Sequence, residues 1–126
     1  MARSAILHVM VQAAPKAGKS LSRDFGEVQN LQVSLKGPGD YVSQADRKAE
    51  EIVKAELMRA RPDYGFLGEE GGATEGADGQ HRWIVDPLDG TTNFLHGIPM
   101  FAISIALERQ GQIVAGVIYN PALDEL

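Results

Sequence analysis

Two aspartates three residues apart, Asp86 and Asp89, follow the apolar run Trp83-Ile84-Val85 and precede Gly90-Thr91-Thr92-Asn93-Phe94. A strand that delivers Asp86 at its end, with Pro87 stopping further pairing, would turn through Asp89-Gly90 into a helix start. Both carboxylates could then converge on one point. Gly90, Thr91 and Thr92 would offer backbone N–H groups at that helix N-terminus, where a phosphate is readily held. Oxygen ligands with no Cys and no His among them select a hard cation such as Mg2+. A carboxylate-held Mg2+ beside phosphate-binding amides is the outline of metal-assisted phosphoryl transfer to water. Taken alone, D-x-x-D-G after a strand is more often a turn whose aspartates cap backbone amides, so the neighbouring residues decide.

Those neighbours are acidic. Between Asp63 and Asp89 stand seven carboxylates (Asp63, Glu69, Glu70, Glu75, Asp78, Asp86, Asp89) and one firm cation, Arg82. Folded together they repel one another unless they face water or a cation. A solvated loop suits Glu75 and Asp78, which lie in a Gly-rich stretch, but not Asp86 and Asp89 behind an apolar run. The whole chain has 126 residues and a net charge of −5, which argues weakly against a dedicated nucleic-acid surface. It has no cysteine, which excludes disulfides and thiolate metal sites. The start reads as an amphipathic helix rather than a signal peptide, and no apolar run is long enough for a membrane span. A soluble, cytoplasmic protein is expected.

The elements that must position these residues follow from periodicity. Ile6, Met10, Ala13, Ala14, Ala17 and Leu21 recur at helical spacing, with Pro15 either bending that helix or dividing it. Glu27 to Leu35 reads as a short strand, and Lys36 to Asp40 as a loop. A second helix is expected from about Gln44 to Ala60, with Ala45, Ala49, Ile52, Val53 and Leu57 on one stripe. Ser43 and Asp46 have capping-box spacing at its start, and Pro62 closes it. Short strands follow at 65–68 and 82–85. Phe101 to Leu107 and Ile113 to Tyr119 form a hairpin around Gln110-Gly111. The expected fold is α+β, two N-terminal helices packed on an antiparallel β-sheet.

The run Trp83–Phe94 resembles the signature of the inositol monophosphatase family, Mg2+-dependent phosphomonoesterases. Three further elements match in order: Gly68-Glu69-Glu70, the stretch Asp40-Tyr41-Val42-Ser43-Gln44-Ala45-Asp46, and Lys36 on the loop before it. The likeness covers essentially the whole chain, residues 1–126. It implies that Glu69, Asp86 and the carbonyl of Leu88 hold one metal ion, and that Asp86 and Asp89 hold a second. Glu70 would sit beside the water at the metal. Thr91, hydrogen-bonded to Asp46, would orient that water and help deprotonate it. The amides of Gly90 and Thr91 would hold the phosphate, so that Glu69, Leu88, Asp89, Gly90 and Thr91 line the substrate site. Each has a plainer competing role: Asp46 a helix-capping acid, Glu70 a solvated charge, Lys36 a solubilising one. His81 and His96 read as surface or packing residues.

Family members are roughly twice this length, and their second half supplies a further Asp ligand and most sugar-selecting residues. The chain is therefore expected to be the front half of such a domain, able to bind one Mg2+ but turning over poorly. The substrate class implied is a phosphate ester, inositol 1-phosphate first, with another sugar or nucleotide phosphate as the alternative. A homodimer is implied for the full length. Bacterial relatives with roles beside catalysis make a transcription-machinery partner, or an RNA-polymerase-associated binding protein of the same fold, the reading from another class. A metal-stabilised structural domain is the plainest one.

Overall fold

A computed structural model describes residues 4–28, 37–69 and 72–126. The chain runs α1 (Ala5–Val28), α2 (Gly37–Ala60), β1 (Gly65–Leu67), β2 (Ala73–Thr74), β3 (His81–Asp89), α3 (Thr91–Leu95), β4 (Ala102–Arg109) and β5 (Gln112–Tyr119). The α+β class holds. The sheet is mixed rather than antiparallel: its order is β2-β1-β3-β4-β5, and β1 runs parallel to β3.

The core lies between the two long helices and one sheet face. Met10, Ala13, Ala14, Ala17 and Leu21 of α1 and Ala45, Ala49, Val53 and Leu57 of α2 are buried against Trp83, Val85, Ile103, Ile105 and Leu107. The small residues on both stripes let the helices approach closely, and their periodicity is the one read from sequence. α1 continues unbroken through Pro15. Buried Ala13, Ala14 and Ala17 anchor the helix on both sides of the proline, so packing overrides the lost hydrogen bond.

Three expectations are corrected around the second helix. Glu27 and Val28 end α1 and are not strand; the rest of that expected strand, and Lys36, lie outside the described residues. Gly37 to Asp40 are the first turn of α2, not a loop. Proline is tolerated in a first helical turn, where its missing N–H would have had no partner anyway, so Gly-Pro-Gly here opens a helix. Ser43 consequently lies inside α2 and is not its cap.

The β4–β5 hairpin forms as expected. Gln110 and Gly111 both take positive φ, 50° and 84°, the combination a two-residue loop needs to match strand twist. Arg82 meets its cross-strand partner Glu108 at 3.1 Å.

Candidate metal and phosphate site

β3 does not stop at Asp86. It continues through Pro87 to Asp89, with a break in register against β4: Asp86 pairs with Ser104 and Asp89 with Ala102. Three steps along β3 thus match two along β4, so one extra residue is accommodated in a bulge. In a regular strand, residues three apart point to opposite faces. The bulge shifts that parity and sets Asp86 and Asp89 on the same face, the one shared by Ser104 and Ala102. Pro87, which cannot donate to a ladder, sits in the irregular stretch.

The parallel pair supplies the next carboxylate. Gly65, Phe66 and Leu67 are level with Arg82, Trp83 and Ile84. Continuing that register one more alternation brings Glu69 level with Asp86, at the carboxyl ends of two neighbouring parallel strands. The Glu69 side chain is accordingly within hydrogen-bonding reach of Asp86. Burial raises the Asp86 carboxyl above its ordinary value; the Leu88 N–H opposes this, the Asp89 charge adds to it, and Glu69 opposes it. The Leu88 N–H donates to Asp86 Oδ1 at 3.2 Å. The charges of Asp86 and Asp89 are thus held near one another at a partly desolvated point, an arrangement that a cation relieves.

α3 begins where expected, directly after Gly90, whose φ of 93° is left-handed. A Cβ there would meet the Met100 carbonyl oxygen at 2.9 Å and Phe101 Cα at 3.2 Å, so glycine is required on two counts. Phe94 anchors the short helix from below. Its ring lies 5.0 Å from that of Phe101 and 5.6 Å from that of Phe25 on α1. From above, Asn93 Nδ2 donates to the Met100 carbonyl at 2.8 Å. Thr91 is exposed, and its hydroxyl donates to the Leu88 carbonyl at 3.3 Å. Asp46 lies buried on α2, which packs against α3.

The site residues read from sequence therefore fall into two groups. Glu69, Asp86, Leu88, Asp89, Gly90 and Thr91 gather at the strand ends and the start of α3, with Asp46 on the helix behind. Glu70 and Lys36 lie outside the described residues. Among the described residues, no group of three or more His, Cys, Asp or Glu side chains is placed so as to hold an ion. The oxygen-only donors fit a hard cation in chemistry and amount to part of its ligand set.

Two acids play parts the sequence reading missed. Glu50 is buried, and its Oε1 accepts the Glu69 N–H at 2.7 Å. The signal was its place four residues after Asp46, on the same helix face. Asp78 is no plain loop charge. Its Oδ1 accepts the N–H groups of Gln80 and His81, and Oδ2 meets the His81 ring at 2.6 Å, so its carboxyl is lowered to about 2. His81 also stacks on Tyr64 at 4.3 Å, the packing role expected of it.

A model of the inositol monophosphatase family matches residues 2–126. The chain belongs to that family. It is 86% identical over 126 residues to the inositol-1-monophosphatase of Mesorhizobium japonicum, covering all of this chain and 47% of that protein. It is 40% identical over 121 residues to the Nus factor SuhB of Pasteurella multocida, covering 96% of this chain and 45% of that one. Among solved structures, the extragenic suppressor protein suhB of Bartonella henselae superposes with a TM-score of 0.85 at 74% identity, over 97% of this chain and 47% of that one. The chain spans about half the length of the curated relatives it matches.

Proposed function

We propose that this chain carries the cation- and phosphate-handling part of a Mg2+-dependent phosphomonoesterase acting on inositol 1-phosphate. The observation that carries the reading is the meeting of Glu69 and Asp86 at the ends of two parallel strands, with the bulge bringing Asp89 onto the same face. Glu69, Asp86, Asp89 and the Leu88 carbonyl would hold Mg2+. The bound ion would neutralise charge developing on the phosphoryl group and make water a better nucleophile near neutral pH. The chain's own residues do the rest. The amides of Gly90 and Thr91 would hold phosphate oxygens, and Thr91, paired with Asp46, would orient the attacking water. Thr91 has an exposed hydroxyl now resting on Leu88, so it reaches water by a simple rotamer change. The name carried by the relative at 86% identity supports inositol 1-phosphate over other sugar or nucleotide phosphates. A cytoplasmic homodimer accompanies this reading; among the described residues no helix is long and apolar enough to cross a membrane.

The test is phosphate release from inositol 1-phosphate with and without Mg2+, beside the Asp86→Asn variant, with Mn2+ binding followed in parallel. Turnover by these 126 residues alone is expected to be low. Release should need both Mg2+ and Asp86. Release that ignores both, or a chain that neither binds the cation nor turns over, would sink the proposal.

A second reading is favoured by the relatives named Nus factor SuhB: a binding protein of the same fold with a transcription-machinery partner. An association with RNA polymerase that survives both chelation and Asp86→Asn would support it.

A further inference from the structure

We infer that Glu50 is a positioning residue for the cation site, acting through the backbone of Glu69 and not as a ligand. The inference rests on the reading of Glu69 as a metal ligand. Glu50 projects from α2 and is only 6% exposed. Its Oε1 takes the Glu69 N–H at 2.7 Å. The carboxyl lies flat against the preceding residue: a Cβ at Gly68 would meet Glu50 Cδ and Oε1 at 2.5 Å, and Phe66 Cε1 at 2.8 Å. Gly68 is therefore the gap through which a helix side chain reaches the backbone of the strand end.

The alternation of β1 explains why this contact falls where it does. Phe66 points into the helix-facing core, so Gly68 faces the same way, and Glu69 faces the opposite side beside Asp86. β1 is three residues long, and Glu69 lies two residues beyond its last residue, Leu67. A strand this short has few ladder contacts of its own with which to fix a side chain beyond its end. Glu50 clamps the peptide that carries Glu69 from behind, one residue from the point where the ladder ends. Asp46, one turn earlier on the same face of α2, is the other buried acid of that surface. The helix thus buries two acids one turn apart, and Glu50 spends its Oε1 on a backbone N–H.

The acceptor, not the charge, does this work, which makes the proposal testable. Glu50→Gln keeps a side-chain oxygen that can accept the Glu69 N–H; Glu50→Ala removes it. Val53→Ala, on the same helix and equally buried, serves as a control for general destabilisation. Two readouts are needed: hydrogen exchange at the Glu69 amide, and Mn2+ affinity followed by electron paramagnetic resonance. We expect Glu50→Ala to lose the amide's protection and to weaken Mn2+ binding roughly tenfold or more, the scale seen when partners that orient ligating groups are removed. Glu50→Gln should stay within about threefold of the parent on the same scale, and Val53→Ala should leave the affinity alone. If Glu50→Gln loses as much as Glu50→Ala, the charge matters and the positioning role is wrong. Unchanged exchange or unchanged affinity in Glu50→Ala likewise overturns it. A parent chain that binds no Mn2+ overturns the ligand reading of Glu69 and this inference with it, an outcome distinct from the others.

Discussion

Gly90→Ala tests whether the start of α3 is fixed by a collision with the loop that returns to β4. Gly90 has φ of 93°, and its missing Cβ would lie 2.9 Å from the Met100 carbonyl oxygen and 3.2 Å from Phe101 Cα, both backbone atoms. Gly111 has nearly the same φ, 84°, with open space where a Cβ would be. Holding alanine in the left-handed region costs about 1–2 kcal/mol, offset by about 0.4–1 kcal/mol from the stiffer unfolded chain. Gly111→Ala should therefore destabilise by about 0–1.6 kcal/mol on that accounting. Gly90→Ala carries the same backbone cost plus overpacking of about 1–3 kcal/mol, because neither neighbour is a flexible side-chain tip. Urea unfolding followed by the fluorescence of Trp83, the sole tryptophan and fully buried, measures both. The refuting result is a pair of variants within about 0.5 kcal/mol of each other, below the smallest overpacking cost expected. The 96–101 loop would then yield freely, and the start of α3 would not be rigidly placed.

Other perturbations have equally definite outcomes. Phe94→Ala should cost roughly 3–5 kcal/mol, as for buried aromatic truncations generally, and should weaken cation binding by loosening α3; retention of full stability in the same urea assay would contradict the Phe25–Phe94–Phe101 cluster as its anchor. Asp78 has its carboxyl lowered from 3.8 to about 2 by the Gln80 and His81 N–H groups and the His81 ring. Its stabilisation is therefore complete above the unfolded value and lost as pH falls through about 2. Melting temperatures of Asp78→Asn and the parent should differ at pH 5 and converge toward pH 2, and a constant gap would show that another group carries the effect. In the absence of divalent cations Asp86→Asn should melt higher than the parent at neutral pH. The charged form of Asp86 is disfavoured in the fold, so its cost grows as pH rises above the usual carboxylate range. The Asn oxygen can still accept the Leu88 N–H. A lower melting point for the variant would mean that Asp86 is stabilised by something other than a cation.

Helix stripes and the hairpin were legible because each is set by local chemistry: Ala45, Ala49, Val53 and Leu57 by the period of 3.6, Gln110-Gly111 by the demands of a two-residue turn. The start of α2 was misread because Gly37-Pro38-Gly39 carries the same residues as a turn, and only the context after it decides that proline opens a helix. The parallel pairing of β1 with β3 was not legible at all. A three-residue strand has no periodicity, and its partner is chosen by the sheet. Asp86 and Asp89 were recognised as convergent, but for a reason the structure corrects: β3 does not end at Pro87, it bulges there. Glu50 escaped because its role depends on Gly68, a residue eighteen positions away that only folding brings alongside.

These two devices have a common logic. A sheet face alternates, so a strand can present successive carboxylates to one point only by breaking its own period, and the bulge between Asp86 and Asp89 does this within one strand. A second strand can add a ligand at the same level only if it runs parallel and ends in the same place, which is the position of Glu69 beside Asp86. Both solutions bring acids together at one point. The short strand β1 carries one of them, and the support for its far end comes from α2 through Glu50. A site built this way should fail first at its strand end, so loss of the Glu69 amide's protection should precede loss of the core helices when the chain is warmed in chelator. Hydrogen exchange that shows α2 opening before the Glu69 amide would contradict this order and place the weak point elsewhere.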